Sequence, residues 1–256
     1  MASLSPLNGV LDLRKAKHLL RRASYVFDEN TINSLVGLSI EEALNQLSIS
    51  NTNTWDEPYD PLPTADPDAY WLSSTELSNT FDGQTRKRRV ISSWWWYNAL
   101  NQSTLKHKLS FFLHTSFTVS KDGGTGTSTF FYDHLRLLQF FAYGNIKILA
   151  KKITFDNSML IYLNNTTNNA NNPNENYARE FLELFTILKG PQIASGDYTN
   201  YTELDIQQAA KVFSGIKTQN DRSIIDEDTN LPRGRVNVSK HDSTNKTFSH
   251  AFNNHT

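Results

Sequence analysis

A mainly α-helical fold with long loops is what this sequence predicts, and three observations predict it. Apolar residues recur at three- and four-residue spacing along successive segments, Ser, Thr, Asp or Asn stands ahead of several of them, and Gly144, Gly190 and Gly215 stand where segments stop. The expected architecture is an irregular multi-helix domain over 10–215. From 216 to 256 the expectation is a poorly structured start of a C-terminal part, with a short hairpin at most.

The first helix is expected over Leu11–Ser24. Arg14, Lys17 or His18, and Arg21 fall on one side against Ala16, Leu19, Leu20 and Ala23, so the cationic side reads as a solvated face. Ser39 and Glu42 form a capping-box pattern before ALNQL, which predicts a short helix beginning near Ile40. Four prolines among Asn and Asp between Asn51 and Asp68 predict an ordered surface loop rather than a calcium site. A long helix over about Thr85–Asn101 carries RKRR and then WWWY. Three successive tryptophans point three ways round a helix, which predicts an element surrounded by neighbours. The four cations read as solvated rather than as a surface for single-stranded nucleic acid.

The next helix, Thr104 to about Thr118, carries LKHKLSFFLHTSF. KDGGTGTST follows it. It has neither the lysine and spacing of a Walker motif nor a strand before it, so it reads as a helix-hairpin connection into Ser128–Tyr143. Asn145 and Asp156 are positioned to cap two short helices, and Asn164–Asn174 is an Asn-rich loop. A helix then opens at Asn174 and ends near Gly190, and Thr202 with Asp205 caps one that stops at Gly215. Beyond it the only alternation is Arg235–Val238. HAFNNHT ends the chain without a closing element, so a fragment of a longer protein is expected.

Composition limits the chemistry. With 38% hydrophobic residues and a formal charge of −1, the chain can fill a core but has no overall field to draw it to nucleic acid, and no such partner is expected. There is no cysteine, which removes disulfides, thiol catalysis and cysteine-ligated metals; His, carboxylates, hydroxyls and Arg remain. No run is long enough to span a membrane and no signal peptide is recognisable. Arg21-Arg22 is followed by ASYVFDEN rather than an apolar stretch, so it is not an export signal. The compartment stays open.

The helix after Asn174 is the richest in polar groups. A step of about 100° per residue puts Tyr177, Ala178, Phe181, Leu184, Phe185 and Leu188 on one side. Glu175, Asn176, Arg179, Glu180 and Glu183 fall on the other, where Glu175, Arg179 and Glu183 stand four apart as a charge ladder. Separately, His114 lies ten residues before Gly124 and His134 ten after it, so in an antiparallel hairpin the two imidazoles reach similar heights. Two His with carboxylates nearby can bind a metal or do acid–base work. Asp133 and Arg136 flank His134, and His241-Asp242 supplies a further pair in a loop.

Several of these segments together carry a resemblance. HLLRRASY at His18–Tyr25, WW at Trp94-Trp95, LKHKLSFFLHTSF, HLRLL at His134–Leu138 and YGN at Tyr143–Asn145 occur in that order. NSMLIYLNN, PNENYAREFLELFT, YTELDIQQAAKVFSG and HDSTNKTF complete the series. In this order they resemble a bacterial family designated domain of unknown function 1800. The resemblance implies a mainly helical protein and no particular reaction. It places His114, His134, Arg136, Asn174, Glu175, Arg179, Glu180, Glu183, His241 and Asp242 on family motif positions. Ser116 stands where the family commonly has a second His, which weakens a metal reading. The family is often encoded beside a sulfatase-like family, which suits either a partner enzyme or a scaffold.

The functional expectation is therefore a metal-dependent hydrolase with a divalent cofactor. His114, His134 and His241 or Asp242 are its expected ligands, Glu180 or Glu183 its ligand or general base, and Arg179 a neighbour in the catalytic group. Arg136, Asn174 and Glu175 are further polar candidates. The alternative is a noncatalytic helical binding or scaffold module.

Overall fold

The computed structural model describes residues 7–48, 58, 81–120 and 126–256. The proline-rich Asn51–Asp68 loop, apart from Pro58, and the first part of KDGGTGTST lie outside the described residues. The chain forms two compact units that divide after Phe112, and the fold is mainly α.

In the first unit, α1 (Leu13–Ala23), α2 (Glu29–Leu35) and α3 (Ile40–Ser48) enclose a small core of Leu11, Ala16, Leu20, Ile32, Leu35, Ala43 and Leu47. Their starts are set locally. Asp12 accepts from Lys15 N at 2.8 Å, Asp28 from Thr31 N at 2.8 Å, and Ser39 and Glu42 exchange the expected capping-box bonds. The helix α2 and its Asp28 cap were not anticipated from the sequence, because its seven residues are too short to declare a period.

Two expectations for α4 (Phe81–Asn101) are corrected. The helix buries one strip, Arg88, Ile91, Trp95 and Ala99, while Trp96 and Tyr97 are exposed, so it is not surrounded. Residues spaced three and four apart face one way whatever aromatics stand between them. Nor is RKRR simply solvated: Lys87 and Arg88 are buried, and burial lowers the Lys87 pKa. Trp95 and Trp96 meet edge to face and both pack on Tyr25 and Phe111. The division between units falls within α5 (Leu105–Ser116).

The second unit is built on α6 (Ser128–Phe140), which is buried on nearly all sides from Phe130 to Gln139. It continues as a 3₁₀ turn to Tyr143. Asn145 and Asp156 cap α7 (Ile146–Ile153) and α8 (Asn157–Tyr162) as expected. Asn174 Oδ1 accepts from Asn176 N at 3.0 Å ahead of α9 (Asn176–Glu180).

From Phe181 to Thr186 the helix continues in π register. Wider turns shift the phase of every later side chain, which corrects the expected faces: Leu182 is 6% exposed, whereas Leu184 and Leu188 are 61% and 60% exposed. A short antiparallel hairpin, β1 (Gln192–Ala194) and β2 (Asp197–Tyr198), leads to α10 (Glu203–Val212), which starts on the Thr202/Asp205 capping box. Ala178, Leu182, Tyr201, Ile206, Ala209 and Ala210 form the core here.

After Gly215, β3 (Ile216–Lys217) pairs antiparallel with β4 (Arg235–Val236). Within this unit the segment is tied to its helical neighbours: Gly234 N donates to Phe155 O at 2.7 Å and Lys217 Nζ to Asn168 O at 2.9 Å.

Candidate functional site

His114 and His134 lie side by side, with ring centroids 5.7 Å apart, as the spacing about Gly124 predicts. His134 is completely buried, and its Nδ1 stands 3.1 Å from Asp156 Oδ1. A carboxylate only accepts, so Nδ1 carries the hydrogen in this bond and Nε2 is the remaining position on the ring. Asp156 Oδ1 also accepts from Met159 N at 2.8 Å, so one oxygen both starts α8 and orients the imidazole. His134 Nε2 and His114 Nδ1 are both buried and have no hydrogen-bond partner among the described residues. Burial first, and then the neighbouring His134, push the His114 pKa down to about 4, so that ring is neutral at pH 7.

A second buried carboxylate stands beside this pair. Asp133 is clamped by Arg222, with Nε donating at 2.9 Å and Nη2 at 2.8 Å to the two oxygens. Burial nevertheless pushes its pKa up to about 6. Asp133 and Asp156 line a small cleft completed in part by Lys152, Asp226 and Arg233. Lys152 bonds to Asp226 at 2.7 Å and Asp228 at 2.6 Å, and Arg233 lies over the Phe155 ring.

The other expected residues are placed elsewhere in the bonding pattern. Arg179 forks onto Glu203 at 3.0 and 2.7 Å and also meets Glu175 and Glu183, which raises its pKa. Burial works to raise the Glu183 pKa, but hydrogen bonds from Tyr201 and Lys189 and the charges of Lys189 and Arg179 hold it below the ordinary value. Glu180 is half-buried and has no hydrogen-bond or ion-pair partner among the described residues. Arg136 Nη1 donates to Tyr132 Oη at 3.4 Å. Asn174 bridges the Asn-rich loop through Asn168 and Thr167.

His241 Nδ1 donates to Ser214 O at 2.8 Å, and Asp242 accepts from Thr244 N and lies 3.5 Å from Lys246. These bonds hold a turn. Among the described residues, no three His, Asp or Glu side chains gather as a metal-ligand group.

The arrangement thus unites two of the expected ligands, His114 and His134, with Asp156, which the sequence offered only as a helix cap. Arg222, Tyr201 and Glu203 were also unanticipated, since their partners lie far away in sequence. A family model described as a protein of unknown function, DUF1800, matches residues 18–255. The chain belongs to the DUF1800 family. No curated protein and no solved structure matches it. The match takes in α5, α6, α8, α9 and the His241 turn, so every residue of this site lies on the DUF1800 match. Among the described residues, no helix is long and apolar enough to cross a membrane.

Proposed function

We propose that this DUF1800 protein is a metal-dependent hydrolase whose divalent cation is held by His114 Nδ1 and His134 Nε2, with the remaining coordination positions left to water and substrate. One observation carries the reading: the His114 and His134 rings lie with centroids 5.7 Å apart, and each keeps a buried nitrogen without a partner among the described residues. A buried polar atom left unpaired costs on the order of 1–3 kcal/mol, and a shared cation removes that cost at both atoms. Asp156 supports it, because a carboxylate on the far nitrogen is the usual partner of a metal-ligating imidazole. A bound cation would lower the pKa of its water to about 7 and so supply a nucleophile at neutral pH. Arg179, Glu175 and Glu183 hold α9 to the start of α10 in this reading, and His241 and Asp242 hold their turn.

The rival is a noncatalytic binding module, favoured by the lack of a third gathered ligand among the described residues. Elemental analysis of protein purified without added metal, followed by titration of chelator-stripped protein with zinc and manganese, separates the two. The hydrolase reading expects one saturable site that His114→Ala or His134→Ala removes and His241→Ala leaves intact. No ion and no saturable binding would return the protein to the module reading.

A further inference from the structure

We propose that α1 is a docking surface for an anionic lipid bilayer, its cationic side laid on the phosphate headgroups and Leu13 and Phe27 entering the shallow apolar layer beneath them. The proposal concerns the first unit alone and does not depend on the hydrolase reading.

Counting about 100° per residue, Lys17, Arg21, Arg14, His18, Arg22 and Lys15 follow one another round one half of α1, while Ala16, Leu20 and Ala23 lie on the other and are buried. No carboxylate stands within Leu13–Ala23. Asp12, the N-cap, comes within 3.9 Å of Lys15, and the Arg21 guanidinium lies 5.1 Å from the centre of the Phe27 ring. Arg14, Lys17 and Arg22 are exposed and make no hydrogen bond or ion pair among the described residues. Folding does not ask for such a face. Arg14 and Lys17, and Lys17 and Arg21, stand three and four apart and repel, and Arg14 and Lys15 lie in the first turn, where the helix dipole disfavours cations. Interspersed signs would keep the face wet without that repulsion.

Charge and apolar exposure together select the partner. Leu13 is 49% exposed and Phe27 48%. Leu13 borders Lys17 in the helical projection, and the Arg21 contact sets Phe27 beside the cations. An anionic bilayer surface receives both kinds of side chain, cations at its phosphates and large apolar groups just below them. A nucleic-acid duplex or an acidic polypeptide also attracts the cations, but it presents charged, hydrated groups to Leu13 and Phe27.

The test uses the full chain, sedimented with vesicles of phosphatidylcholine alone or of phosphatidylcholine and phosphatidylglycerol in equal parts. Binding to the mixed vesicles and not to the neutral ones is expected. Each Lys or Arg at an anionic surface strengthens adsorption about fivefold, so Arg14→Gln combined with Arg22→Gln should lower the partition coefficient about 25-fold. Lys147→Gln combined with Lys151→Gln removes the same charge from exposed positions of α7 and should leave the coefficient nearly unchanged. Leu13→Ser should weaken vesicle binding with every cation in place. Melting temperatures equal to the parent's certify the folds of the variants. No binding to the mixed vesicles, an equal loss from the α7 pair, or tighter binding to a DNA duplex or to polyglutamate than to the vesicles overturns the proposal.

Discussion

Asp156 does two jobs with one oxygen, and a single substitution can separate them. Asn is nearly as good a helix cap as Asp, so Asp156→Asn leaves an acceptor for Met159 N and keeps α8 started. What it removes is the charge facing His134 Nδ1. The melting temperature is expected to hold within a few degrees, while affinity for the proposed cation falls by about 10- to 100-fold, the usual effect of losing such a partner. Isothermal titration with zinc beside a thermal melt reads both. A variant that melts far lower would make Asp156 a structural residue first, and unchanged affinity would detach it from the proposed cation.

At the scale of the element, the π turn after Glu180 makes a prediction that an unbroken α-helix would not. In α register Leu184 shares the side of Tyr177; here Leu182 is buried and Leu184 is exposed. Leu182→Ala should therefore cost about 2–5 kcal/mol and Leu184→Ala no more than about 0.5 kcal/mol in urea denaturation. Equal costs would put the helix back in α register. The neighbouring link between α10 and β3 is equally specific. Gly215 has φ +73°, and a Cβ there would stand 2.6 Å from His241 N and 2.8 Å from Asn237 O. Backbone cannot give way cheaply, so Gly215→Ala combines a left-handed strain with a clash and should cost more than about 1 kcal/mol.

These elements also explain what the sequence could disclose. Ser39/Glu42, Asn145, Asp156 and Thr202/Asp205 were legible as caps because a cap is decided within four residues of itself. The His114–His134 meeting was legible from two helices and a connection between them. The π turn was not, since propensity and period say nothing about which carbonyl a given amide will choose. Arg222 on Asp133 and Glu203 on Arg179 were not either, because each ion pair joins segments that only the tertiary fold brings together.

Across the whole molecule, three buried titratable groups set an acid response that variants can take apart. His114 in the second unit and His107 in the first both have pKa values pushed from 6.5 to about 4, chiefly by burial. Between pH 6.5 and 4 the unfolded chain takes up these protons and the native chain does not. Their contribution to stability is therefore complete above pH 6.5 and is lost as pH falls through that window. Asp133 works the other way. Burial raises its pKa from 3.8 to about 6, so between those values the native chain holds the extra proton; that contribution is complete below pH 3.8 and lost as pH rises through 6. His114→Gln should flatten the fall in unfolding free energy between pH 6.5 and 4, and Asp133→Asn should steepen it below pH 6. Each change approaches about 1.4 kcal/mol per pH unit for one whole proton. Urea denaturation at intervals from pH 4 to 7 measures both slopes. Curves for the variants that run parallel to the parent's would mean that neither group changes protonation on unfolding in this range.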